Sequence, residues 1–403
     1  MASTGGAIQQ LTLVDLKYQD SFLTGKPQFN FIKQVYKQYE NFAIERIAVP
    51  SDNVLDFGKH ITFKIKKSGD FLKKIYFSFD LPALVRTSGT YAGWTNSIGY
   101  AIIDYFYIKI NSIEIDRQYG LYLAIWNELT KKEDDDILIG KYRNISSLRF
   151  NALTTSNYSV ELPFWFSQNI ASALPLISLS QSNPIEIVMY LNDFDKCVVY
   201  DGNTGPIQAS VTNGILLTDQ IFMGDASKKK FKAEPHVYII KQLQYNSDDV
   251  AGNSKKMELT FSHPLNQLLF VIREKASELN NDWFNFSLRN SLVHTKVLPL
   301  LERARLLVDA KPRHEYQSSH ELSIINSKLY YTNTIDTFIY TIPFCNDPVV
   351  WLPNGTLNFS VPQLKELQLE LIQDTPACSL HVFGVNFNFL TINNELVTLQ
   401  YST

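Results

Sequence analysis

Leu162-Pro163-Phe164-Trp165 recurs 180 residues later as Ile342-Pro343-Phe344-Cys345. At the same offset Glu186 meets Glu366, and Ile187, Met189 and Leu191 meet Leu367, Leu369 and Leu371. Nearer the start, Lys73-Lys74-Ile75-Tyr76-Phe77-Ser78-Phe79 lines up with Lys255-Lys256-Met257-Glu258-Leu259-Thr260-Phe261 at an offset of 182. A segment set that returns at nearly constant spacing implies two copies of one domain, each of about 170 residues. Within each copy the repeated pieces alternate apolar and polar residues with period two, the mark of a half-buried strand.

Working outward, the same alternation fills the chain. Ile61 to Lys66 stops at Ser68-Gly69-Asp70, and Lys74 to Asp80 stops at Pro82. Ile108, Ile110, Ile113 and Ile115 flank Asn111-Ser112, a hairpin signal. Further runs are Ile185 to Leu191, Lys256 to Phe261, Asp336 to Ile342, Leu364 to Ile372 and Ser379 to Leu390. Two stretches carry helical spacing instead: Phe29 to Tyr39, and Leu121, Ile125 and Leu129 with Trp126 beside them. Leu298 to Asp309 is open between helix and strand. Strands at this density predict an all-β sandwich class with short helices in the loops. Asp201 to Lys232, rich in Gly, Asn, Thr and Ser and closing on Lys228-Lys229-Lys230, reads as a linker or long loop.

Composition agrees and excludes several classes. The chain of 403 residues is 45% hydrophobic and 13% aromatic, so it can build cores, and aromatic residues suit pleated, half-buried surfaces. A net charge of -3 supplies no basic face for phosphate, so direct nucleic-acid binding is not expected. Cys197, Cys345 and Cys378 are too scattered for a disulfide framework or a zinc site and read as ordinary thiols. The N-terminus lacks the basic and apolar regions of a signal peptide, and Ala2 excludes myristoylation, which predicts a soluble chain outside the standard secretory route.

Chemistry is hard to find. There is no G-x-x-x-x-G-K-[ST], G-x-G-x-x-G or G-x-S-x-G. His314 and His320 in His314-Glu315-Tyr316-Gln317-Ser318-Ser319-His320-Glu321 would stand roughly 20 Å apart on a strand, too far for one metal. Lys131-Lys132-Glu133-Asp134-Asp135-Asp136 lacks the glycine and terminal glutamate of a calcium loop. Both read as polar loops. No catalytic, cofactor-binding or metal residue is assigned, no cofactor is expected, and a structural role is favoured over an enzymatic one.

An ordered series of short motifs then resembles the double jelly-roll major capsid proteins of nucleocytoplasmic large DNA viruses. It runs from Gly5-Gly6, Gln19-Asp20 and Leu23-Thr24-Gly25 through Pro27-Gln28, Phe31-Ile32-Lys33-Gln34-Val35-Tyr36 and Asn41-Phe42-Ala43. Phe57-Gly58, Asp80-Leu81-Pro82, Ile125-Trp126-Asn127-Glu128-Leu129-Thr130 and Leu162 to Ile177 follow, then Phe261-Ser262-His263-Pro264-Leu265 and Pro353 to Ser360. The series departs at Lys37-Gln38-Tyr39-Glu40, where the family usually carries basic residues followed by His or Tyr and Thr.

The resemblance implies two tandem eight-stranded antiparallel jelly rolls. Residues 1–24 would be an N-terminal arm, 25–200 the first roll, 201–232 the linker and 233–403 the second roll. It implies a structural subunit that forms homotrimeric, pseudo-hexameric capsomers in an icosahedral shell. Its partners would be other capsomers and minor capsid and penton proteins, with an inner viral membrane close by. Its place would be the virion, after assembly in the host cytoplasm. A minor capsid paralogue is the alternative within the fold. Outside it stand a carbohydrate-binding double β-sandwich and a bicupin, the latter needing an H-x-H that the chain lacks.

Overall fold

The computed structural model describes residues 41–130, 136–142, 145–180, 184–232, 234–288, 298–335, 337–373, 375–393 and 395–401. The expected arm, the helix over Phe29 to Tyr39 and Lys131 to Asp135 lie outside them.

Residues 43 onward form one compact unit. Eight strands build the two main sheets of its first half: β1 (Phe42–Pro50), β2 (His60–Lys64), β3 (Phe71–Leu81), β4 (Ile103–Ile110), β5 (Ile113–Tyr119), β6 (Ser156–Glu161), β7 (Ile185–Leu191) and β8 (Thr212–Met223). Eight more build those of the second: β9 (His236–Val250), β10 (Ser254–Glu258), β11 (Pro264–Glu274), β12 (Leu301–Val308), β13 in two pieces (Lys311–Pro312 and Gln317–Ser318), β14 (Tyr340–Pro343), β15 (Lys365–Leu371) and β16 (Cys378–Asn393). The first half orders its sheets β1-β8-β3-β6 and β2-β7-β4-β5, and the second β9-β16-β11-β14 and β10-β15-β12-β13. Adding eight to each strand number turns one pair of sheets into the other. Each half is an eight-stranded jelly roll, and the chain is a double one.

Register repeats as well as order. Ile187 on β7 lies between Phe63 and Ile108, and Leu367 on β15 lies between Met257 and Leu306. All six are buried, each trio in its own core. The hairpins repeat too. Asn111 and Ser112 turn β4 into β5 with φ of 52° and 66°, and Asp309 and Ala310 turn β12 into β13 with φ of 49° and 60°. Two consecutive left-handed residues are what a two-residue turn needs to match strand twist.

Four parts of the sequence reading are corrected or resolved. The alignment at offset 182 is wrong: Lys73 to Phe79 lies on β3, whose counterpart is β11, whereas Lys255 to Glu258 lies on β10, the counterpart of β2. Any two alternating strands slide into register, and β11 itself does not alternate. The expected linker over residues 201–232 instead supplies β8, which runs antiparallel along β3 inside the first roll, and a helix over Asp225–Lys232. Its glycines and asparagines mark turns and a bulge around a strand whose Leu216, Thr218 and Gln220 point inward and are buried. Of the open stretch Leu298 to Asp309, Leu301–Val308 is strand. The expected helix is α1, Gly120–Thr130.

Candidate functional site

The three thiols are buried, and burial pushes each upward in pKa, away from a reactive thiolate. His314 is bonded only to the neighbouring Glu315 carbonyl, and His320 is exposed at the start of a helical turn. Lys228 pairs with Asp70 at 3.1 Å within the first roll. Among the described residues no group of three or more His, Cys, Asp or Glu is placed to hold a metal ion.

The developed feature is the seam between the rolls. It begins at Gly120, where a Cβ would sit 2.1 Å from the Ile103 carbonyl oxygen and 2.4 Å from that of Tyr100. Glycine alone lets α1 start so close to β4. The helix then has two buried faces. Leu123 and Ala124 join the core of the first roll, while Tyr122, Ile125 and Leu129 join a separate cluster with Leu269, Val271, Phe383 and Val385 of the second. Those four side chains lie on the outer face of sheet β9-β16-β11-β14. Its inner face, with Leu268, Phe270 and Ile272 on β11, belongs to the second core. The second roll also caps the helix: Asn333 donates its backbone N–H to the Leu129 carbonyl and its side-chain amide to that of Glu128, each at 3.1 Å.

Polar groups finish the seam. Asp116 on β5 is fully buried, accepting from the Leu243 backbone N–H at 3.0 Å and from the Gln118 amide at 2.8 Å. Burial pushes its carboxyl up to about 7, against the pull of those two hydrogen bonds. Lys241 donates to the Pro348 and Val350 carbonyls at 2.8 Å each, and burial pushes it down to about 8. Both groups line a cavity of about 20 Å³. Gln118 Oε1, Trp165 Nε1 and Gln267 Nε2, which have no protein partner, belong to residues lining the same space. That volume and that polarity suit one water molecule.

At the other end of the seam, Asn281 donates to the Asp195 and Val198 carbonyls and Trp283 to that of Lys196. His381, bonded to the Tyr245 hydroxyl at 2.7 Å, is pushed down to about 3 by burial and by Arg273 beside it. The joint is packed along α1, and at this end it borders a cavity of about 190 Å³ lined by Tyr245, Arg273, Trp283 and His381 and an open cleft of about 1160 Å³ lined by Lys196, Asn281 and Trp283. What it can do is hold two barrels in one orientation.

The sequence reading singled out α1 and, in the run Ser379 to Leu390, one strand it packs on, but not Leu269, Val271 or Asn333. A signal was present: α1 is apolar nearly all round, which marks a helix buried on more than one side.

The comparisons with known proteins come from both halves. Residues 30–227 match the family model for the major capsid protein N-terminus, and residues 228–398 the model for the large eukaryotic DNA virus major capsid protein. The major capsid protein of Phaeocystis pouchetii virus is 30% identical over 99% of this chain and 99% of its own length. That of Pyramimonas orientalis virus is 29% identical over 99% of this chain and all of its own length. Among solved structures, a quasi-atomic model of the PBCV-1 virus capsid superposes with a TM-score of 0.80 at 20% identity, covering 93% of this chain and 100% of the other.

Proposed function

Because the chain belongs to the major capsid protein family of large eukaryotic DNA viruses, we propose that three copies close into a pseudo-hexagonal capsomer. The chain is a structural capsid subunit and a virion component that assembles with other capsid subunits. The finer reading rests on one observation: two barrels of identical strand order are locked side by side in one chain. Three such chains supply six similar wedges around an axis, and a hexagonal outline tiles a flat facet. The work of the protein is then association, with no turnover of a substrate. Neighbouring capsomers and minor capsid and penton proteins are its partners, and the host cytoplasm is its assembly site.

The test is mass in solution. A trimer near three times 46.2 kDa is expected from sedimentation of the purified chain. A species that remains monomeric or dimeric at micromolar concentration overturns the trimeric capsomer.

A further inference from the structure

Among the described residues, a contact that the duplication calls for twice is made once. In the first roll, the segment following β5 forms α1 and covers the outer face of the second roll's sheet. In the second roll, the segment following β13 is also helical, as a π-turn over Glu321–Ile325 that runs into α2, Asn326–Tyr330. One side of this helix is buried in its own roll through Leu322, Ser323, Asn326 and Ser327. Its other side carries Ile325 and Leu329, 40% and 67% exposed.

The matching acceptor is the outer face of sheet β1-β8-β3-β6. Ile44 and Arg46 share that face by strand alternation, and Arg46 is bonded to Asp219 of β8 and lies over the Tyr76 ring of β3 at 5.2 Å. Ile44 is 46% exposed, and Tyr76 and Leu217 are half-buried. This sheet is the counterpart of the one α1 covers.

We propose that the outer side of the Glu321–Tyr330 helix docks on the Ile44, Tyr76 and Leu217 face of the first roll in a second copy of this chain. The occupant follows from continuity with the seam inside the chain. Each helix covers the next sheet, so the second roll's helix and the first roll's sheet are the two unmatched ends. Joining unmatched ends head to tail gives a heterologous contact, which closes when its rotation matches that of the internal seam. The inference rests on the trimeric reading and names its contact. Two exposed apolar side chains against the three large ones of α1 make this the weaker seam, as suits subunits that exist singly before they assemble.

The experiment uses the full chain and compares oligomeric state by sedimentation. Leu329→Asp and, separately, Ile44→Asp are expected to raise the concentration for trimer formation at least tenfold, with circular dichroism unchanged. A Leu329→Cys/Ile44→Cys double variant treated with a bis-maleimide is expected to give covalent oligomers that stop at three chains. The untreated chain's own buried cysteines set the background. A wild-type trimer that tolerates both aspartates and gives no inter-chain product overturns the proposed contact and leaves the trimeric reading standing. A wild-type chain that never forms trimers overturns both. A product within one chain, or Ile44→Asp melting the monomer itself, assigns the face to the same copy and overturns the contact.

Discussion

β3 and β11 occupy the same place in the two rolls, yet they are built differently. β3 reads Phe71-Leu72-Lys73-Lys74-Ile75-Tyr76-Phe77-Ser78-Phe79-Asp80-Leu81, with Leu72, Ile75, Phe77, Phe79 and Leu81 buried and the residues between them half-exposed. β11 reads Pro264-Leu265-Asn266-Gln267-Leu268-Leu269-Phe270-Val271-Ile272-Arg273-Glu274, and every residue after the proline is buried. A strand wetted on one face alternates, and a strand covered on both does not. The difference therefore records which sheet already has its neighbour. Inside one chain α1 has dried the outer face of the second roll, while that of the first roll keeps the chemistry of an unfilled place.

The comparison breaks most sharply under charge. Leu269→Asp puts a carboxylate under α1 at a fully buried, apolar position, and should cost at least about 4 kcal/mol or prevent folding. Ser78→Asp, half-exposed on β3, should stay within about 0.5 kcal/mol in the isolated subunit. Urea melts of the two variants measure the contrast, and equal losses would refute it.

The repeated motif offers a second contrast. Trp165 and Cys345 stand at the same step of the repeat, but Trp165 is 3% exposed beside the seam cavity, while Cys345 is a smaller side chain at 9%. Trp165→Ala should cost about 3–5 kcal/mol by urea melt. Cys345→Ala should cost about 1 kcal/mol, the loss of a small group and of the 3.1 Å hydrogen bond from Asn266.

Gly120→Ala tests whether α1 must start where it does. The added methyl meets backbone oxygens, which no rotamer change can move, so a loss of about 1–3 kcal/mol is expected in the same assay.

The mildest test is by pH. The Asp116 carboxyl is raised from its ordinary 3.8 to about 7, so the folded state holds a proton that the unfolded chain releases. Its contribution is full below about pH 4, falls as pH rises toward 7, and is flat above that. Asp116→Asn removes this slope, and the Gln118 amide can turn to offer its unpartnered oxygen. The variant should match wild type near pH 6 and be more stable by about 1–2 kcal/mol at pH 8, read from melts across that range. An unchanged slope would show that Asp116 is not the titrating group.

These contrasts also explain what could be read from the chain beforehand. β2, β3, β7 and β15 announced themselves because each has one wet face, and the duplication followed from β7 and β15. β11 is absent from the alternating runs because cover on both sides erased its period. Its place in the repeat was then given to Lys255 to Phe261, an alternating stretch of the wrong strand. β8 was hidden by its ends, where glycine and asparagine drew the eye to a linker. Asp116 and Asn281 carried no local signal, since their roles depend on partners more than 80 residues away that only the packed seam brings near.

The N-terminal origin of α1 has a consequence for synthesis. β11 and β16 are long apolar strands of the kind that aggregate when a nascent chain leaves them bare. On a ribosome adding roughly 5–20 residues per second, α1 emerges on the order of ten seconds before β11. The second roll is thus born beside a finished partner, so the chain acts as its own chaperone for the surface most in need of one.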